Sequence, residues 1–116
     1  MKNINPIYHN PFGVAFQWKR SSSADRLKVQ LVFRNTGLLL SYLELKEFLQ
    51  CISDTLGASQ LCHNCSEDKN CRALLLETPI NQLSFAMSIV ELQSLQELVE
   101  GTLFQLELDH LLHKNE

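Results

Sequence analysis

A short apolar strand that runs directly into an amphipathic helix occurs twice in this chain, and this duplication constrains the fold more than any other feature. Ser41 and Glu44 have the Ser-x-x-Glu spacing of a capping box. In that motif the serine hydroxyl and the glutamate carboxylate each accept a hydrogen bond from the other residue's amide at a helix start. Ser88 and Glu91 repeat the spacing in the second copy. The two boxes therefore predict two helix starts, each directly after a strand.

Each predicted helix carries one apolar stripe at helical spacing. The stripe of the first helix consists of Leu45, Phe48, Leu49, Ile52 and Leu56, and that of the second consists of Leu92, Leu95, Val99 and Leu103. Gly57 is expected to end the first helix as a left-handed cap. Gly101 falls inside the second helix, where a glycine costs about 1 kcal/mol relative to alanine.

The N-terminal third alternates with the period of β-strands. The apolar positions predicted to face the core are Phe12, Val14, Phe16 and Trp18 in one strand and Leu27, Val29, Leu31 and Phe33 in the next. Further strands are predicted at Leu38–Leu40, 73–77 and Leu83–Met87. The resulting order is βββα, connector, ββα.

This order predicts an α+β fold in which an antiparallel sheet carries two helices on one face, with pseudo-symmetric halves. A chain of 116 residues with 45% apolar content suits a single domain over 1–116. Its internal repeat is expected at 27–56 and 74–103, separated by a cysteine-rich connector at 57–72. The sequence has no apolar run of about 18 residues, so no membrane span is predicted. The first residues lack the apolar core of a signal peptide, which predicts a cytoplasmic location with reduced thiols.

The connector holds the residues that are best suited to chemistry. Cys62 and Cys65 form a Cys-x-x-Cys pair, which can grip one ion from a single turn, and Cys71 adds a third sulfur. Cys51 is the predicted fourth ligand, with His63 or His9 as alternatives. A structural zinc would then close the connector. Free thiols, a disulfide and an iron–sulfur cluster remain open as other interpretations of the same cysteines.

The net charge of −3 is unevenly distributed along the chain. Residues 1–40 carry six Lys and Arg side chains against one acid, whereas the rest of the chain is acidic. Five of the basic residues lie in a predicted hairpin that spans Lys19–Arg34: Lys19, Arg20, Arg26, Lys28 and Arg34. They suggest a nucleic-acid-binding or regulatory module as the alternative function. A solvated sheet face is the favoured interpretation, because no nucleic-acid-binding motif accompanies these charges.

The last helix is apolar on two sides. Phe104, Leu108 and Leu111 form a stripe that points away from the stripe predicted to seat the helix on the sheet. A second stripe needs a second surface, which predicts a homodimer through this helix. The alternative is that the N-terminal segment Ile4–Tyr8 folds back over it.

Part of the chain resembles a small family of uncharacterised proteins, mainly from Bacteroidetes. The resemblance rests on Leu76–Pro79, followed by Leu83–Met87 and the helix to Leu112, and on a similar strand and helix over Phe33–Phe48. It covers residues 27–112. No activity is assigned to that family, so the resemblance implies neither a catalytic residue nor a cofactor.

The leading interpretation is a non-enzymatic cytoplasmic domain with a self-association or protein-interaction role. A small-molecule enzyme ranks third, because the sequence has no Ser-His-Asp set, glycine-rich phosphate loop or zinc-protease helix. The residues predict no particular small-molecule ligand.

Overall fold

A computed structural model describes residues 3–19, 28–59 and 74–113. The elements in chain order are β1 (Ile4–Asn10), β2 (Gly13–Trp18), β3 (Val29–Phe33), β4 (Thr36–Leu40), α1 (Tyr42–Ser59), β5 (Leu74–Glu77), β6 (Ser84–Met87) and α2 (Ile89–His113). Strands β1 to β4 form an antiparallel sheet in sequence order, and β5 pairs with β6 in a separate two-stranded sheet. The predicted α+β class is confirmed.

Strand β1 is absent from the predicted order, which becomes ββββα followed by ββα. Its sequence gives a weak strand signal because Pro6 cannot donate a hydrogen bond to a neighbouring strand. In the structure, the pairing register of β1 with β2 shifts between Pro6 and Tyr8. Both features are tolerated at the edge of a sheet, where β1 lies. Each helix directly follows a hairpin, whereas the structural equivalence of the two halves stays a prediction.

Both helices pack on one face of the four-stranded sheet and share a single core with it. Helix α2 lies against β1 and β2, and α1 lies against β4 and β5. The fully buried large side chains of this core come from β3, β4, both helices and the second hairpin: Val29, Leu31, Phe33, Leu40, Leu45, Phe48, Ile52, Leu76, Met87, Leu92, Leu95 and Leu98. The Phe85 ring meets Phe33 edge-on, with ring centroids 5.4 Å apart, which joins β6 to the main sheet.

Within β2 the predicted core face is wrong, although Phe12, just before the strand, packs against the core as predicted. Ala15 pairs with Leu31 and Gly13 with Phe33, so these two small residues face the helices. Phe16 and Trp18 consequently lie on the opposite face, where Phe16 is buried at 8% exposure and Trp18 is 40% exposed. The core side of β2 carries small side chains because α2 approaches it closely: a Cβ on Gly13 would lie 3.0 Å from Leu98 Cδ2.

Both capping boxes form as predicted. The Glu44 amide donates to Ser41 Oγ at 3.1 Å, and the Ser41 amide donates to Glu44 Oε1 at 2.9 Å. The equivalent bonds between Ser88 and Glu91 measure 3.1 and 3.0 Å. Each box satisfies two amides that a helix start would leave unpaired.

The predicted helix end at Gly57 is wrong, because α1 continues to Ser59 and Gly57 does not have a positive φ. The connector that was expected to start at Gly57 is therefore helical over its first three residues. In the described parts of the chain, neither helix is both long and apolar enough to cross a membrane.

Candidate interaction surface on the C-terminal helix

The predicted zinc ligands fall mostly outside the described residues, as Cys62, His63, Cys65 and Cys71 all do. Cys51 is half-buried on α1, where burial raises the pKa of its thiol and the nearby carboxylates Asp54, Glu77 and Glu47 raise it further. His9 is exposed on β1, at the sheet edge opposite to the β4 edge on which α1 packs.

Within residues 3–19, 28–59 and 74–113, no three His, Cys, Asp or Glu side chains are grouped so that they could hold a metal ion. The structure therefore brings neither Cys51 nor His9 into a metal site among those residues. The zinc site stays a prediction.

The basic hairpin is described only in part, since Arg20 and Arg26 lie outside the described residues. Arg34 begins the two-residue turn between β3 and β4, with φ at 55°. Its Nε lies 3.5 Å from Glu91 Oε2, which pairs this guanidinium with the second capping box. Arg34 therefore makes an internal contact, and the nucleic-acid-binding alternative stays a prediction.

Strand β1 covers one side of α2 over the first half of the helix. Asn10 Nδ2 donates to the Ser94 carbonyl at 3.0 Å and to Glu97 Oε1 at 2.9 Å. The Tyr8 hydroxyl also donates to Glu97, and this hydrogen bond raises the pKa of Tyr8. The Tyr8 ring lies directly on Gly101, where a Cβ would overlap three of its ring atoms. Gly101 lowers helix propensity, but its lack of a side chain leaves room for the Tyr8 ring.

Beyond Gly101 the outer side of α2 is apolar and open to solvent. We call this surface the α2 ridge, which consists of Phe104, Leu108, Leu111 and Leu112. Their exposed fractions are 62, 37, 63 and 64%. The spacing i, i+4, i+7 and i+8 places all four on one face of the helix. The alternative prediction placed Ile4–Tyr8 over this ridge. The segment instead packs on α2 at Glu97 and Gly101 and leaves the ridge exposed.

The first turn of α1 contacts α2 at Glu107, which lies between the ridge residues Phe104 and Leu108 in the sequence. The Tyr42 hydroxyl donates to Glu107 Oε1 at 2.7 Å, which raises the pKa of Tyr42, and Lys46 Nζ lies 5.4 Å from the Tyr42 ring centroid. Because the first residue of α1 meets a residue near the end of α2, the two helices run antiparallel.

An open groove of about 440 Å³ next to the ridge is lined by both α1 and α2. Its apolar lining comes from Leu49, Leu103 and Phe104, and its charged lining comes from Lys46, Glu100 and Glu107. Phe104 belongs to both surfaces, so groove and ridge are continuous. We call this feature the α1–α2 groove.

Sequence reasoning identified three of the four ridge residues and missed Leu112, although its i+8 spacing from Phe104 was visible in the pattern. The groove carried no comparable signal, because it depends on how the two helices pair. The ridge is an apolar surface without catalytic groups. It can stabilise a contact from which water is excluded.

Comparison of the chain with protein-family models, curated proteins and solved structures finds no match in any of the three. The resemblance to the Bacteroidetes family stays a prediction. The interpretation of this surface therefore rests on its geometry.

Proposed function

We propose that this chain is a non-enzymatic cytoplasmic protein-interaction domain that self-associates as a two-fold dimer through the α2 ridge. The observation that supports the proposal is the ridge itself, in which three of four large apolar side chains are more than 60% exposed. Contiguous apolar surface of this kind is typical of protein–protein contacts.

Burial of the ridge is strongly favourable. Moving a Leu or Phe side chain from full exposure to full burial gains about 1.5–3 kcal/mol, and the partly exposed ridge residues gain a share of that each. A two-fold axis brings the same patch of both copies together. The apolar ridge of one copy would therefore pack against the apolar ridge of the other. A dimer formed in this way needs no other component.

Sedimentation velocity at micromolar concentration tests the proposal. We expect the wild-type chain to sediment as a dimer and the Phe104→Asp/Leu108→Asp chain as a folded monomer, because two carboxylates in the contact would be desolvated without partners. Circular dichroism checks that the variant remains helical.

Leu75→Asp is the matched control, because Leu75 is 63% exposed on β5, outside both helices. This chain should remain a dimer. A monomeric wild type, or a double variant that still dimerises, would overturn the proposal.

A further inference from the structure

We infer that the outer edge of β4 binds an extended peptide segment of a partner protein, which pairs with Thr36–Leu40 as a fifth strand of the main sheet. The partner is defined by its chemistry: the centre of the segment is uncharged and forms a strand, and its flanks are acidic. This contact is separate from the α2 ridge, so the inference does not rest on the proposed dimer.

The hydrogen-bonding groups of β4 identify the kind of partner. β4 is the last strand of the main sheet, and in the described part of the chain the backbone of Thr36–Leu40 is hydrogen-bonded only to β3. Every second residue of an antiparallel edge strand directs its amide and carbonyl away from the sheet. A second extended backbone supplies the complementary donors and acceptors at the same spacing, which a helix cannot do.

The two edges of the main sheet differ in their protection against such pairing. At the β1 edge, Pro6 has no amide to donate, and the register shifts between Pro6 and Tyr8. Proline, lysine and bulges are the usual means by which proteins protect an exposed edge. β4 contains no proline and no charged residue, and its register with β3 is regular over all five residues. β4 is therefore the edge of this sheet that is suited to an added strand.

The side chains beside the β4 edge leave room for that strand. Gly37 and Leu39 alternate with the buried Leu38 and Leu40, so they lie on the face of the sheet that is opposite to the helices. Gly37 and Leu39 are both exposed, and Gly37 has no side chain that could obstruct a neighbour. A residue opposite Gly37 on the added strand would lie diagonally across from Leu39, within reach of a large side chain. An apolar residue there would cover Leu39.

A second copy of this chain fits the β4 edge poorly. Only Ser41 separates β4 from α1, which lies against β4 on the helix face of the sheet. If the β4 strands of two copies paired, they would lie only about 4.8 Å apart. Their α1 helices would then be crowded together on one face, whereas packed helices need about 8–10 Å between their axes. A peptide strand brings no helix with it.

The charge of the sheet favours acidic flanks on the peptide. The described part of the main sheet and its turns carries three basic side chains and no acidic one. Arg34 is already paired with Glu91. Lys28 forms no ion pair among the described residues, and it directly precedes Val29, which pairs with Leu40 at the end of β4. A carboxylate on the flank of a bound peptide can therefore approach Lys28, whereas a lysine there would be repelled.

An NMR titration of the isotope-labelled chain tests the inference. The probe is the end-blocked peptide Glu-Thr-Val-Thr-Val-Thr-Glu, and its matched control has lysine in place of both glutamates. We expect the acidic peptide to shift the amide resonances of residues 36–40 most and to give cross-strand nuclear Overhauser effects to them. The lysine-flanked peptide should bind to the same residues more weakly.

The variant Leu39→Asp separates strand pairing from simple charge attraction. It should weaken the binding of both peptides by about tenfold or more, because the new carboxylate would be desolvated beside the added strand. Charge attraction alone would instead strengthen the binding of the lysine-flanked peptide. Leu75→Asp is the matched control, since Leu75 is 63% exposed on β5, and this chain should bind both peptides as the wild type does.

Three results would overturn the inference. They are no binding of the acidic peptide to the wild type, binding that Leu39→Asp leaves unchanged, and cross-strand contacts between the β4 strands of two copies when no peptide is present. The oligomeric state found by sedimentation decides the proposed dimer separately, so either proposal can fail while the other survives.

Discussion

Gly13→Ala is expected to lower the free energy of unfolding by about 3 kcal/mol, at the upper end of the usual cost of overpacking. The added Cβ would overlap the carbonyl oxygen of Val32 and would lie 3.0 Å from both Leu98 Cδ2 and Phe33 Cβ. A side chain can rotate away from such a clash, whereas a carbonyl oxygen on a paired strand cannot. The sheet or helix α2 must therefore shift.

Equilibrium denaturation in urea measures this effect, with Gly57→Ala as the matched control. Among the described residues, a Cβ on Gly57 meets no atom within 4 Å, and the residue is helical, so the same substitution there should raise stability by up to about 1 kcal/mol. Equal behaviour of the two variants would contradict the close approach of the Val32 carbonyl and the Leu98 side chain to Gly13.

Gly101→Ala is expected to destabilise the wild-type chain by about 2 kcal/mol and to stabilise a Tyr8→Ala chain by up to about 1 kcal/mol. The change of sign arises because the new methyl group collides with the Tyr8 ring in one background and meets no ring in the other. In the second background only the gain in helix propensity remains.

The four chains form a double-mutant cycle that can be measured by the same urea titrations. A Gly101→Ala effect that is independent of residue 8 would show that β1 does not lie on α2 as described.

Local signals in the sequence predicted local structure well. The capping boxes at Ser41 and Ser88 involve residues three apart, so the chain itself brings the partners together, and both boxes form. The buried stripes of the two helices follow from the same short-range periodicity. The prediction that the first helix ends at Gly57 is wrong, because a helical glycine costs only about 1 kcal/mol, which tertiary packing can offset.

Signals that depend on distant parts of the chain were predicted less well. The face of β2 is set by its register with β3, and hydrophobic alternation alone pointed to Phe16 and Trp18 where Gly13 and Ala15 face the core. Strand β1 is held by its pairing with β2 and by contacts to α2, more than by its own propensity. The ridge was largely visible in the helical pattern, whereas the groove exists only once α1 and α2 are paired.

Amide hydrogen exchange, followed by mass spectrometry in dilute and concentrated samples, most directly tests whether a second copy covers the α2 ridge. Amides near the end of an unsupported helix open readily, and an associated partner slows that opening by mass action. Covering the ridge should therefore slow exchange over residues 104–113 in the concentrated wild-type sample. The Phe104→Asp/Leu108→Asp chain should exchange equally fast at both concentrations. Wild-type exchange over 104–113 that does not change with concentration, in a range where the protein is expected to pass from monomer to dimer, would contradict the account.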